Sequence, residues 1–70
     1  MDYNPLVFFM IEINTPYQHY KNKEIYIPLN FCKIQENDIW VKAIIYRPSN
    51  SNELFVRTIK EFEEIFSKID

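Results

Sequence analysis

The seventy residues include no glycine. Phosphate-cradling P-loops, the G-x-G-x-x-G dinucleotide turn and the G-x-S-x-G nucleophile elbow all need glycine for close backbone approach or a strained turn. None of these motifs can therefore be present. One cysteine, Cys32, and one histidine, His19, leave little further site chemistry. A lone cysteine makes no intrachain disulfide, so nothing calls for an oxidising compartment. Two Cys/His side chains fall short of the four that a structural zinc usually takes. No metal or cofactor is expected. Long apolar runs are missing too: the longest, Leu6 to Ile11, is far shorter than the roughly 20 residues of a membrane span. Met1-Asp2-Tyr3-Asn4-Pro5 has neither the basic region nor the small-residue cleavage site of a signal peptide. The expectation is a cytoplasmic protein, in the host cytoplasm if phage-encoded, that does not engage the membrane.

What remains is strongly apolar. Hydrophobic residues make up 47% and aromatics 17%, which argues for a folded core rather than a disordered tail. At this length a single domain buries only about 60% of its unfolded surface and is marginal alone. With no disulfide or metal to help, self-association is the remaining common staple, so a homo-oligomer is expected. The net charge of −2 is unevenly spread: residues 1–14 carry −2, residues 15–60 carry +3 and residues 61–70 carry −3. A mildly basic body beside an acidic tail lacks the basic footprint of a duplex binder, so polymeric nucleic acid is not the expected partner. The abundance of Ile (11), Asn (7) and Lys (6) fits an AT-rich coding bias, as in low-GC bacteria and their phages.

The hydrophobic pattern orders the elements. Leu6 to Ile13 is apolar on both faces and reads as a strand covered on both sides, by the C-terminal helix or by another subunit. Tyr17 to Tyr20 can be extended, and Lys21-Asn22-Lys23 is a turn in which Asn22 tolerates the left-handed region. Ile25, Ile27, Leu29 and Phe31 alternate with other residues as in a strand with one buried face, and Pro28 predicts an edge or a bulge. After the Gln35–Asp38 turn, Ile39 to Tyr46 is the strongest strand, followed by a short one at Leu54-Phe55-Val56. Thr58-Ile59-Lys60-Glu61 fits a capping box. The stripe of Ile59, Phe62, Phe66 and Ile69 then predicts a helix over 58–69, supported by a Glu64–Lys68 pair. The fold class is α+β, mostly β: four or five antiparallel strands and one helix. The single domain divides into an N-terminal extension (1–14), a β-barrel core (16–57) and the helix (58–69).

Tyr17-Gln18-His19-Tyr20-Lys21, Ile44-Ile45-Tyr46-Arg47 and Leu54-Phe55-Val56-Arg57 resemble a small family of bacterial and phage-borne domains of unknown function. The family pattern opens with Tyr-x-His-Tyr-Lys, continues through a strand ending Val-Val-Tyr and Leu-Trp-Val-Arg-Pro, and closes on a Phe, here Phe62. The likeness covers about residues 16–66. It departs at the family's glycine after Tyr-Lys (Asn22 here), its Trp (Phe55) and its Pro (Thr58), and the first 14 residues lie outside it. The resemblance implies an SH3-like barrel or strongly bent sheet and carries no activity.

If Tyr46 faces Phe55 across the last hairpin, Ile44 faces Arg57, and two faces result. Val41, Ala43, Ile45, Leu54 and Val56 read as barrel interior. Trp40, Lys42, Ile44, Tyr46, Phe55 and Arg57 mix aromatics with cations. That second face can stack a base while cations hold phosphate, form a protein hot spot, or lie under the helix with its cations at the rim. Arg47 falls on the opposite face from Arg57, at the open end. Arg57 either serves the binding face or closes the barrel on an acid such as Glu36 or Glu53. His19 between tyrosines reads as a satisfied structural residue, with a general base or phosphate donor as the alternative. The sequence therefore points to a non-enzymatic binding module acting by stoichiometric sequestration or inhibition. One version is a phage-type counter-defence protein holding a small nucleotide signal or a host protein. Its expected ligand residues are Trp40, Lys42, Tyr46, Arg47, Phe55, Arg57 and His19. The alternatives are an SH3-like interaction adaptor or, less well supported, an enzyme using His19.

Overall fold

The computed structural model describes residues 11–69. Five antiparallel strands and one helix follow in the order β1 (Tyr17–His19), β2 (Ile25–Glu36), β3 (Ile39–Pro48), β4 (Phe55–Thr58), α1 (Ile59–Ile65) and β5 (Phe66–Lys68). They form one open sheet of strand order β4-β3-β2-β1-β5. The fold is α+β and mostly β, as the alternating pattern predicts.

The long β2–β3 ribbon is the frame. Its turn is two residues, Asn37 and Asp38, with φ of 49° and 65°. Both lie in the left-handed region that a tight hairpin of this kind demands, and Asn and Asp tolerate it where no glycine is present. The turn fixes the register at Glu36↔Ile39, Lys33↔Lys42 and Phe31↔Ile44. Pro28 cannot donate to a ladder, and the register shifts between Pro28 and Asn30, so the expected bulge is present in a central strand. The β3–β4 register pairs Ile44 with Arg57, Ile45 with Val56 and Tyr46 with Phe55, as the sequence predicts.

Thr58 ends β4 and caps α1. The Glu61 N–H donates to Thr58 Oγ1 at 3.1 Å, and the Thr58 N–H donates to Glu61 Oε1 at 3.4 Å, completing the capping box. The helix is shorter than its stripe predicts. It stops at Ile65, and Phe66 turns extended (φ −114°, ψ 144°) to start β5. β5 pairs with β1 through Tyr17↔Lys68, Gln18↔Ser67 and His19↔Phe66. Strand pairing gives Phe66 a buried position without a further helical turn, so the two periodicities compete and the tertiary ladder wins. The expected Glu64–Lys68 helical pair is lost with that turn, and Lys68 instead meets Glu12 at 2.7 Å.

Two other expectations change. The predicted strand over Leu6 to Ile13 lies mostly outside the described residues. Its described end, Ile11 to Ile13, is a bend running into a turn at Asn14 (φ 60°), not a strand. In the Lys21–Lys23 turn the left-handed residue is Lys23 (φ 63°), not Asn22. The Asn22 side chain instead accepts the Glu24 N–H through Oδ1 at 2.8 Å.

Helix α1 links the two outer strands of the sheet. A flat sheet would separate β4 from β5 by four spacings, roughly 19 Å, whereas seven helical residues rise only about 10 Å. The sheet must therefore curl around α1. Its concave face holds the core: Ile44, Tyr46, Tyr17, Phe62, Phe66 and Ile11. This corrects the interior assignment. The face of Val41, Ala43, Ile45, Leu54 and Val56 is not the inside: Ala43 is buried, but Leu54 and Val56 are exposed. Both faces of β3 are apolar, and only the helix decides between them.

Candidate functional site

Consecutive rows on the concave face run from Tyr26–Pro48 through Pro28–Tyr46–Phe55, Phe31–Ile44–Arg57 and Lys33–Lys42 to Gln35–Trp40. Rings dominate the covered end. Phe62 and Phe66 stack at 4.4 Å, and Tyr17, Tyr26 and Tyr46 meet Phe62 or Phe66 edge-on at 5.1–5.3 Å. Such edge-to-face pairs are favoured by the ring quadrupole.

This packing removes several expected ligand residues from solvent or gives them other work. Tyr46 is 3% exposed beneath α1, and its hydroxyl oxygen accepts the Arg57 Nε–H at 2.8 Å. Burial pushes the Tyr46 hydroxyl above its ordinary pKa of 10.0, although the hydrogen bond and charge of Arg57 pull it down. Arg57 is thus tied to a tyrosine, neither to Glu36 nor to Glu53. Arg47 lies on the opposite face, across from Ile27. Its Nη1 donates to the carbonyls of Pro48 (3.0 Å) and Ser49 (3.3 Å), holding the turn after β3. His19 packs edge-on against Phe66 at 5.2 Å and stacks on Tyr20 at 5.5 Å. Its Nδ1 accepts the Lys21 N–H at 3.0 Å, which places the neutral ring's proton on Nε2. The structural reading of His19 thus has concrete partners.

The far half of the ribbon runs beyond α1. Here Trp40 is 63% exposed, and Lys33, Lys42 and Phe31 share its face in solvent. Phe55 lies two rows inward of Lys42, beside Tyr46, on which it stacks at 5.8 Å. Of the expected residues, Trp40 and Lys42 form an accessible surface, with Arg57 at its inner margin and Phe55 one row further in. Lys33 and Phe31 were missed by sequence reasoning. The Asn37-Asp38 turn was the signal: a two-residue loop there sets Lys33 opposite Lys42.

The arrangement can stack a planar group on Trp40 and place two ammonium groups about 7 Å further along the strands. Among the described residues no group of three or more His, Cys, Asp or Glu could hold a metal, and no helix is long and apolar enough to cross a membrane. Elsewhere a mainly apolar cavity of about 380 Å³ lies between Ile11, Tyr17, Phe62 and Phe66, with Glu63 and Lys68 at its rim. No family model, curated protein or solved structure matches the chain, so the likeness over residues 16–66 rests on the quoted motifs alone.

Proposed function

We propose that this chain is a non-enzymatic binding module, working as a homo-oligomer, that captures a nucleotide-class ligand stoichiometrically on the exposed half of the β2–β3 ribbon. The observation that carries this reading is the Lys33–Lys42 pair in direct cross-strand register beside the exposed Trp40. An anion placed between the two side chains is approached by an ammonium group from each strand, and the neighbouring indole offers a stacking surface for a base. Arg47 and His19, held by turn carbonyls and by the aromatic cluster, drop out of the ligand set. Capture of a small nucleotide signal in a phage counter-defence setting is the biological role that the motif resemblance and the Ile/Asn/Lys-rich composition favour.

Trp40 is the sole tryptophan, so its emission reports on this surface directly. Titration with mononucleotides should quench it, and Lys33→Ala or Lys42→Ala should each weaken binding by about 1.5–3 kcal/mol. Inorganic phosphate should compete without quenching. An unquenched Trp40 throughout, with no nucleotide retained in native mass spectrometry, overturns the reading. An intact protein co-purifying in its place favours an adaptor, for which exposed Trp40, Phe31 and Phe55 would be hot-spot residues.

A further inference from the structure

Among the described residues the sheet leaves four strand edges unpaired, and they are not alike: the distal edge of β3, Ile39 to Lys42, carries the charge of Lys42. The outer side of β5 offers three residues, Phe66–Lys68, with Lys68 tied to Glu12 beside them. The distal edge of β2 follows a bulge and carries Lys33, Gln35 and Glu36. Charges, bulges and shortness are the usual devices that keep a sheet edge from pairing with another chain. β4 is itself short, Phe55–Thr58, but over Leu54-Phe55-Val56 its edge carries neither a charge nor a bulge. These residues are 63%, 39% and 47% exposed.

The charges flanking this segment are self-complementary. Glu53 stands two residues before Phe55, and Arg57 two after it. In an antiparallel pair of two such segments centred on Phe55, Glu53 of one copy opposes Arg57 of the other, twice. Leu54 opposes Val56, and Phe55 meets its own counterpart on the axis. A register one residue away in either direction breaks the charge pairing. It also places residues that point to opposite faces against each other, or loses one apolar contact.

We infer that β4 is a homodimerisation edge. Two copies pair antiparallel through residues 53–57 about a two-fold axis passing through Phe55, giving one continuous ten-stranded sheet. The interface is isologous, which closes the assembly at two. The axis stands perpendicular to the sheet, so the Trp40–Lys42 surfaces of both copies lie on the same side, and each copy's Phe55 sits between them. The inference rests on the self-association in the proposed function and not on its ligand.

Sedimentation equilibrium and chemical cross-linking decide it. The full chain should show about twice its 8.6 kDa mass at micromolar concentration. Val56→Lys, which sets a charge on the bare edge, should be monomeric. Glu53→Lys, at an exposed loop position that cannot disturb the fold, should weaken dimerisation about tenfold. In a Cys32→Ser background, Phe55→Cys should form an intermolecular disulfide under mild oxidant, and Leu54→Cys should not, because only the residue on the axis meets itself at disulfide distance. A wild type that stays monomeric overturns the inference. So does a dimer indifferent to Glu53→Lys, or one that cross-links at 54 but not at 55. A monomer that still quenches with nucleotide overturns the dimer alone, and a dimer that binds none overturns the ligand reading alone.

Discussion

The two halves of the β2–β3 ribbon share one ladder and one residue vocabulary, yet they lead opposite lives. In the near half, Pro28, Ile44 and Tyr46 are buried, the last two in one cluster with Phe62 of α1. In the far half, Ile39, Trp40 and Lys42 stand in water. The β2–β3 ladder runs through both halves, but only the near half is flanked as well, by β1 beside β2 and by β4 beside β3. Cover separates them: seven helical residues shield one end and cannot reach the other. Residue type alone therefore does not say which side chains make core and which make surface.

The sharpest way to break this comparison is to truncate one ring in each half. Phe62→Ala should cost about 3–5 kcal/mol in urea denaturation, whereas Trp40→Ala should stay within about 0.5 kcal/mol. Comparable losses would mean the far half is packed as well. Next, Tyr46→Phe removes the oxygen that receives the Arg57 Nε–H and should cost about 1.5–3 kcal/mol, since that bond is charge-assisted. The same residue sets an alkaline limit. Because the folded state holds the Tyr46 proton more tightly than the unfolded chain, its contribution is intact below pH 10.0 and is lost as pH rises past that value. Thermal melts of Tyr46→Phe should show a shallower alkaline decline than wild type. Thr58→Ala should cost about 1 kcal/mol through the lost helix cap, measurable as a lower melting midpoint. The smallest effect is expected for Lys68→Gln. Lys68 and Glu12 are both well exposed, so their ion pair should contribute under about 1 kcal/mol, and salt should shrink the difference further.

Local signals were legible where one rule acted alone. The capping box located the start of α1, Pro28 announced the bulge, and the pairing of Tyr46 with Phe55 followed from placing the last loop. Legibility failed where two rules agreed on different outcomes. Phe66 satisfies the helical stripe and equally a buried strand position, and only β1, distant in sequence, chooses between them. The interior face of β3 was undecidable because Ile44 and Tyr46 on one side are matched by Val41, Ala43 and Ile45 on the other. Half of the candidate surface was readable as well. Trp40 and Lys42 announce themselves, but Lys33 and Phe31 join them only through cross-strand register. The bulge at Pro28 to Asn30 defeats a strict alternation count from the start of β2.

The pairing of β1 with β5 also carries a temporal meaning. Tyr17 meets Lys68, nearly a whole chain apart, whereas Glu36 meets Ile39 across two residues. Closing a long loop costs entropy before any contact repays it. The ribbon should therefore form first, α1 should settle on it, and β5 should dock beside β1 only at the end. Substitutions in the ribbon turn should slow folding, whereas substitutions in β5 should chiefly hasten unfolding. The last strands to arrive should also be the first to open, and their amides should exchange ahead of those in the ribbon.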